Sequence, residues 1–217
     1  MASEERVWHD PSDWIALNRV LRRLRVTSDD AFLDYGAGLG RAMLVAARFP
    51  FRRIVGVELS EELAAGARQN LSRFRGRKAE DFLVVTADAV DYDVPDDISV
   101  VYLYSPFLGE TFQRVIERLV ASVDRRPRIL RLVYNYPAEH NRLIATGRIE
   151  VLDVASRSWP TRRGVPDDVI VTYLLLPSGG RAALPAPAPA PGPGLDAFPQ
   201  WRGPYDPGYT ITSPARA

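Results

Sequence analysis

Asp34-Tyr35-Gly36-Ala37-Gly38-Leu39-Gly40 sets three glycines at alternate positions directly behind a carboxylate. Glycines spaced this way let the backbone turn tightly and approach a ligand with no Cβ in the way, which suits a nucleotide-like molecule. Two further acids close apolar runs: Glu58 in Val55-Gly56-Val57-Glu58-Leu59-Ser60, and Asp88 in Val84-Val85-Thr86-Ala87-Asp88-Ala89. At the first position a carboxylate can accept from both hydroxyls of a ribose, and at the second from the exocyclic amine of an adenine. A dinucleotide loop needs G-x-G-x-x-G, but Arg41 stands where the third glycine belongs. Asp34 would repel a pyrophosphate, whereas it attracts a ligand carrying an ammonium group and a sulfonium. The charge therefore selects S-adenosylmethionine over NAD. Taken singly, Asp34 or Asp88 is also a helix-capping residue and Glu58 a surface carboxylate; it is their joint pattern that points to a ligand. Arg41 either pairs with Asp34 or Glu58 or lies in solvent.

Such residues work only if a scaffold delivers them to one edge. Short apolar runs at Ala31–Tyr35, Ile54–Glu58, Phe82–Ala87, Ile98–Tyr104, Ile129–Tyr134, Ile149–Val154 and Val169–Leu176 read as strands. Amphipathic stretches at 11–26, 39–48, 60–73, 109–123 and 138–146 read as helices, with Trp14, Leu17, Val20, Leu21 and Leu24 on one face of the first. Alternating helices and nearly all-apolar strands predict an α/β three-layer sandwich around a mostly parallel seven-stranded sheet. No helix-length segment separates the last two strands, so the last strand should be antiparallel. Asp34, Glu58 and Asp88 then share the carboxyl edge, where open α/β sheets bind ligands.

Composition bounds the rest. The 217 residues suffice for one core, and the domain is read as 1–176. A Pro-rich tail, 177–217, holds ten of the 18 prolines and has no core-forming pattern. Its Phe198, Trp201, Tyr205 and Tyr209 leave two readings open, a disordered end or aromatics docked on the body or a second subunit. The 28 basic residues, all Arg except Lys78, against 27 acidic ones give a net charge of +1, which argues against nucleic acid as partner. There is no cysteine and there are only two histidines, so no zinc cluster is in sight and no metal site is expected. No run is long enough to span a bilayer and the first residues are not a signal peptide, so no membrane partner and a cytoplasmic location are expected. A homo-oligomer stays open.

Asp34-x-Gly36-x-Gly38-x-Gly40, Glu58 and Asp88, in this order and spacing, resemble the class I, Rossmann-like S-adenosylmethionine-dependent methyltransferases over roughly residues 30–176. The resemblance implies that the Gly36–Gly40 backbone, Ala37 included, supports the methionine moiety with Asp34 close to its amino group. It also implies Glu58, beside Leu59, on the ribose and Asp88, beside Ala89, at the adenine edge. In that family the acceptor approaches over the fourth strand, here Tyr104-Ser105-Pro106-Phe107. This segment resembles the Asn/Asp-Pro-Pro-Tyr/Phe loop of amino methyltransferases, with Ser105 in place of the amide or acid and one proline missing. A hydroxyl lacks the amide's paired donor and acceptor, which argues against base methylation. It is closer to a bacterial subgroup with Asn-Pro-Phe after the fourth strand and a loop running into Gly-Arg, as Gly40-Arg41 does. That subgroup has been compared with protein-lysine methyltransferases.

Methyl transfer needs positioning above all, plus a base where the acceptor is a hydroxyl or a protonated amine. Ser105, Tyr104 and His140 are the candidate catalytic residues. His140 follows the fifth strand beside Glu139, and His9 precedes the first helix; each is also readable as an ordinary surface residue. Tyr104 and Tyr134 read as pocket walls that would hold a cation by cation–π attraction. Metal-assisted catechol chemistry lacks its acidic ligand at 104–105, and a Tyr-x-x-x-Lys pair is absent. The reading that results is methyl transfer to a nitrogen or oxygen of a small-molecule acceptor. Protein lysine is the alternative, and a non-catalytic cofactor-binding module is a third.

Overall fold

A computed structural model describes residues 14–156 and 169–178. His9 and the tail aromatics Phe198, Trp201, Tyr205 and Tyr209 lie outside the described residues. β1 (Ala31–Tyr35) is buried throughout and β2 (Arg53–Glu58) at all but its first residue, as strands covered on both faces must be. They are joined by β3 (Asp81–Thr86), β4 (Val100–Tyr104), β5 (Leu130–Asn135), β6 (Ile149–Ser156) and β7 (Val169–Leu175) in one sheet of order β3-β2-β1-β4-β5-β7-β6. The first five strands pair in parallel, while β7 is antiparallel to both neighbours. The last strand is antiparallel as expected, but it slots between β5 and β6 and leaves β6 at the edge.

Helices α1 (Trp14–Arg23), α2 (Arg41–Ala46) and α3 (Glu61–Arg73) cover one face, packing Leu17, Leu21, Met43 and Leu71 on Phe32, Ile54 and Tyr102. On the other face, α4 (Gly109–Arg125), α5 (His140–Ile144) and the irregular segment 88–98 pack Phe112, Val115, Leu119, Leu143 and Val94 on Leu33, Leu103, Tyr134 and Tyr173. Each such Leu or Phe gains about 1.5–3 kcal/mol from burial, so both layers are anchored by several residues apiece.

Element ends depart from the sequence reading for local reasons. The helix expected over 39–48 begins only at Arg41, because Gly40 adopts a left-handed φ of 79° and stays in the loop. Ser60 is the N-cap of α3 rather than its first residue; its hydroxyl accepts from the Leu63 N–H at 3.4 Å. The helix expected over 11–26 stops at Arg23, and Arg25 turns left-handed at φ 50°. The helix expected over 138–146 shrinks to the single short turn of α5, and Gly147 at φ 66° ends it. Among the described residues no helix is long and apolar enough to cross a membrane.

Candidate active site

Gly36, Gly38 and Gly40 all take positive φ, 71°, 53° and 79°, and together swing the chain from β1 into α2. The loop is tied to β2: the N–H groups of Gly36 and Ala37 both donate to the Val57 carbonyl, at 2.9 and 3.1 Å. A Cβ on Gly36 would stand 2.9 Å from Pro106 Cβ, so the missing side chain is what lets the loop after β4 close in. At Gly38 a Cβ would meet nothing within 4 Å. That glycine faces open space, a cradle beside the carboxyl edge.

Glu58 ends β2 with 8% exposure, and each of its oxygens holds one backbone N–H, Gly38 on Oε2 at 2.7 Å and Ser60 on Oε1 at 2.9 Å. A carboxylate oxygen has two acceptor sites, so one remains on each for a diol. Asp34 is 3% exposed, and among the described residues no cation pairs with it. Burial first, and the Glu58 charge second, push its carboxyl well above the usual range. A buried carboxylate in that state gains most from a cationic ligand. Asp88 is exposed on the bend after β3 and accepts from the Val90 N–H at 3.0 Å, with Ala89 half-buried next to it. Leu59, 71% exposed after the end of β2, and Leu39, 55% exposed in the glycine loop, are apolar side chains left open to solvent. The structure thus gathers Asp34, Gly36, Ala37, Gly38, Gly40, Glu58, Leu59, Asp88 and Ala89 at one edge. Arg41 opens α2 on the surface. This donor set fits S-adenosylmethionine: a carboxylate for the ammonium, a glycine cradle, a diol acceptor and open apolar side chains.

The acceptor side is built differently from its sequence reading. Ser105 is 4% exposed and left-handed at φ 37°, and its hydroxyl donates to the Tyr136 carbonyl, itself on a residue at φ 53°. Two non-glycine residues in this costly region lock the ends of β4 and β5 together. Ser105 therefore shapes the floor of the crevice, with its proton directed at backbone. His140 is set apart: its Nδ1 lies 2.7 Å from the Tyr173 hydroxyl, and Tyr173 pairs with Leu132, three residues short of the end of β5. Its partner packs on the α4 face, whereas Phe32 and Tyr102, in the alternation of Asp34 and Tyr104, face the α1 side. Burial lowers its pKa. Tyr134 is no pocket wall, being fully buried and stacked on Phe112 at 5.6 Å. Tyr104 does reach the α1-side face, half-buried.

Asn135 is the residue the sequence reading missed. It is buried at the end of β5 in register with Tyr104, and its Nδ2 donates to the Tyr102 hydroxyl at 3.3 Å. The signal was present in Asn135-Tyr136-Pro137, a polar residue and a proline closing an apolar strand as Ser105-Pro106 closes β4. Among the described residues no group of three or more His, Asp or Glu is placed to hold a metal ion.

The family model of histone methylation protein DOT1 matches residues 13–89, from α1 through the bend after β3. None of the curated proteins compared with the chain matches it. Among solved structures, a precorrin-6y C5,15-methyltransferase from Geobacter metallireducens is 20% identical with a TM-score of 0.53, over 80% of this chain and 95% of that one. An RNA methyltransferase from Salinibacter ruber in complex with S-adenosyl-L-homocysteine is 20% identical with a TM-score of 0.52, over 81% and 99%. An rRNA methylase from Streptococcus thermophilus is 15% identical with a TM-score of 0.50, over 76% and 93%. The fold is the one these methyltransferases share, and the family model covers the part of the chain that carries the glycine loop, Glu58 and Asp88.

One expectation is overturned. The exclusion of nucleic acid as partner fails against a set of similar structures in which RNA methyltransferases recur; a precorrin-6y C5,15-methyltransferase stands in the same set, so the small-molecule acceptor is not overturned with it. The exclusion rested on a net charge of +1. A net charge is a sum over the chain and is silent on where the charges lie.

Proposed function

We propose that the chain is an S-adenosylmethionine-dependent methyltransferase that acts on a nitrogen of a nucleobase in RNA. The observation that carries the reading is the Tyr104–Asn135 pair at the ends of β4 and β5, an aromatic ring and a buried amide in register on adjacent strands. The amide absent from position 105 is supplied from β5, so the departure that argued against base methylation is compensated by a neighbouring strand.

S-adenosylmethionine supplies a methyl group on a sulfonium that an in-line nucleophile can take. Asp34 would hold its ammonium, the Gly36–Gly40 backbone its methionine portion, Glu58 its diol, and Asp88 with Leu59 its base. On the acceptor side, Tyr104 offers a ring face for stacking and Asn135 an amide oxygen for an amino hydrogen. The Ser105–Tyr136 hydrogen bond fixes both strand ends, so neither group has to be ordered at the moment of reaction. The one histidine among the described residues is turned to Tyr173 on the other face. An acceptor that arrives uncharged suits such a site, since a base nitrogen needs no proton removed before it attacks and can lose one to water afterwards. A lysine ammonium would have to be deprotonated first. The DOT1 match favours protein lysine as a second reading, but it ends at residue 89, before β4, and so bears on the cofactor half.

The test is incubation of the enzyme and tritium-labelled S-adenosylmethionine with separated RNA, protein and small-molecule fractions of a lysate. Label should enter RNA and be released by ribonuclease; label in protein or small molecules alone overturns the reading. Asn135→Ala should lower RNA labelling by about tenfold or more, the scale of one lost buried hydrogen bond, with calorimetric cofactor affinity unchanged.

A further inference from the structure

At the opposite edge, where strands begin, the connection from α3 to β3 reads Arg73-Phe74-Arg75-Gly76-Arg77-Lys78. It is held against the end of α2: the Lys78 and Ala79 N–H groups both donate to the Ala47 carbonyl, at 2.7 and 3.3 Å. Arg48, at that helix end, lies over the Phe74 ring at 5.9 Å, and Arg77 over Phe82 at 5.7 Å. Arg48, Arg73, Arg75, Arg77 and Lys78 are all exposed, and among the described residues none of them pairs with a carboxylate. Several arginines elsewhere are spent on acids: Arg52 and Arg53 on Asp97, Arg125 on Asp96, Arg148 on Asp124. The only lysine of the chain stands in this group. Glu80 and Asp81 follow it, two acids against five cations.

We propose that this patch docks the phosphate backbone of RNA, remote from the crevice where the methyl group is transferred. Cations left without counter-ions on one connection repel each other, and a polyanion relieves that repulsion while releasing its own condensed ions. Stacking on Phe74 and Phe82 pre-orders two of the guanidinium groups, so less side-chain freedom is lost on binding. The patch lies on the same side of the sheet as the helix ends of α2 and α3, and a strand of RNA reaching the crevice would have to run along the molecule to it. The proposal rests on the RNA reading for the nature of the partner.

The test uses the full chain and a fluorescein-labelled single-stranded 20-nucleotide RNA, followed by anisotropy from 50 to 200 mM salt. The triple variant Arg75→Gln, Arg77→Gln, Lys78→Gln removes three exposed charges and, with them, the Arg77–Phe82 stack, and a thermal melt matching the parent shows that it folds. Its Kd should rise at least tenfold, and the slope of log K against log salt should shrink by about 2, three phosphate contacts at roughly 0.7 each. Equal affinity and slope in parent and variant overturn the docking patch. So does loss of binding to phosphatidylserine vesicles in the variant with RNA binding untouched, which would make the patch a membrane contact. The two ideas fail separately. Patch-dependent RNA binding with no label entering RNA leaves the docking surface and removes the acceptor reading; labelled RNA with patch-independent binding does the reverse.

Discussion

Asp34 carries the largest electrostatic cost among the site residues. Its folded pKa lies above its unfolded value because burial and Glu58 both disfavour the charged form. The folded chain therefore binds that proton more tightly than the unfolded chain, and stability falls as pH rises above the unfolded value. A side-chain amide at this position would keep the shape without the charge, so Asp34→Asn should raise the melting temperature of the ligand-free protein at pH 7. The same change should weaken S-adenosylmethionine binding by roughly 10- to 100-fold, the scale of a charge-assisted hydrogen bond. In the parent, affinity should climb with pH until Asp34 is ionised and then level off, with a proton released on binding below that point; calorimetry in two buffers of different ionisation heat reads this directly. A variant that is less stable and binds normally would show that the carboxylate is structural. The type and place of Asp34 were legible in the sequence, because a carboxylate before alternate glycines has few other uses. Ser105 was less so. Its hydroxyl is taken by the Tyr136 carbonyl, a contact 31 residues away in sequence that no local pattern encodes.

At the scale of elements, the glycine loop separates two roles that share one motif. Gly36 sits at φ 71° with Pro106 in the path of any Cβ, whereas Gly38 sits at φ 53° with open space before it. Gly36→Ala should therefore cost the left-handed strain of about 1–2 kcal/mol plus the clash, and push the Ser105–Phe107 turn away from β1. Gly38→Ala should cost the strain alone and spend its effect on ligand affinity. Urea midpoints with and without S-adenosylhomocysteine distinguish them: Gly36→Ala should lower both, and Gly38→Ala should mainly shrink the difference. Strands were readable because each is a short apolar run between amphipathic segments. Two things were not. Helix ends at 39–41 and 138–140 depend on which backbone torsion a single residue adopts, and the insertion of β7 beside β5 is a pairing choice made across the sheet. Asn135 escaped for the same reason, since its importance comes from lying in register with Tyr104.

Across the whole molecule, charge is divided between the two edges of the sheet. Among the described residues, Asp34, Glu58 and Asp88 at the carboxyl edge stay out of any ion pair, while the strand-start edge holds Arg52 and Arg53 on Asp97 and Arg131 on Asp30. Its centre is Asp30, just ahead of β1. Arg131 of β5 donates to it, the Ser99 hydroxyl donates to it at 2.7 Å, and the Thr27 N–H reaches its other oxygen at 2.9 Å. Arg131 also donates to the Leu24 carbonyl at 3.3 Å, so one guanidinium joins β5 to the start of β1 and to the end of α1. Both partners of the pair are mostly buried. Removing only the cation would strand a carboxylate among backbone groups, and this is the situation in which breaking an ion pair is expensive. Arg131→Met, which keeps the packing of the stem, should lower unfolding stability by roughly 2–4 kcal/mol, read from urea denaturation. Because the network lies at the far edge from the crevice, the folded variant should bind S-adenosylhomocysteine within about twofold of the parent. An unchanged urea midpoint would mean that water compensates Asp30 as well as arginine does. A lost ligand affinity in a folded variant would mean that the two edges are mechanically coupled, and the division of labour between them would not hold.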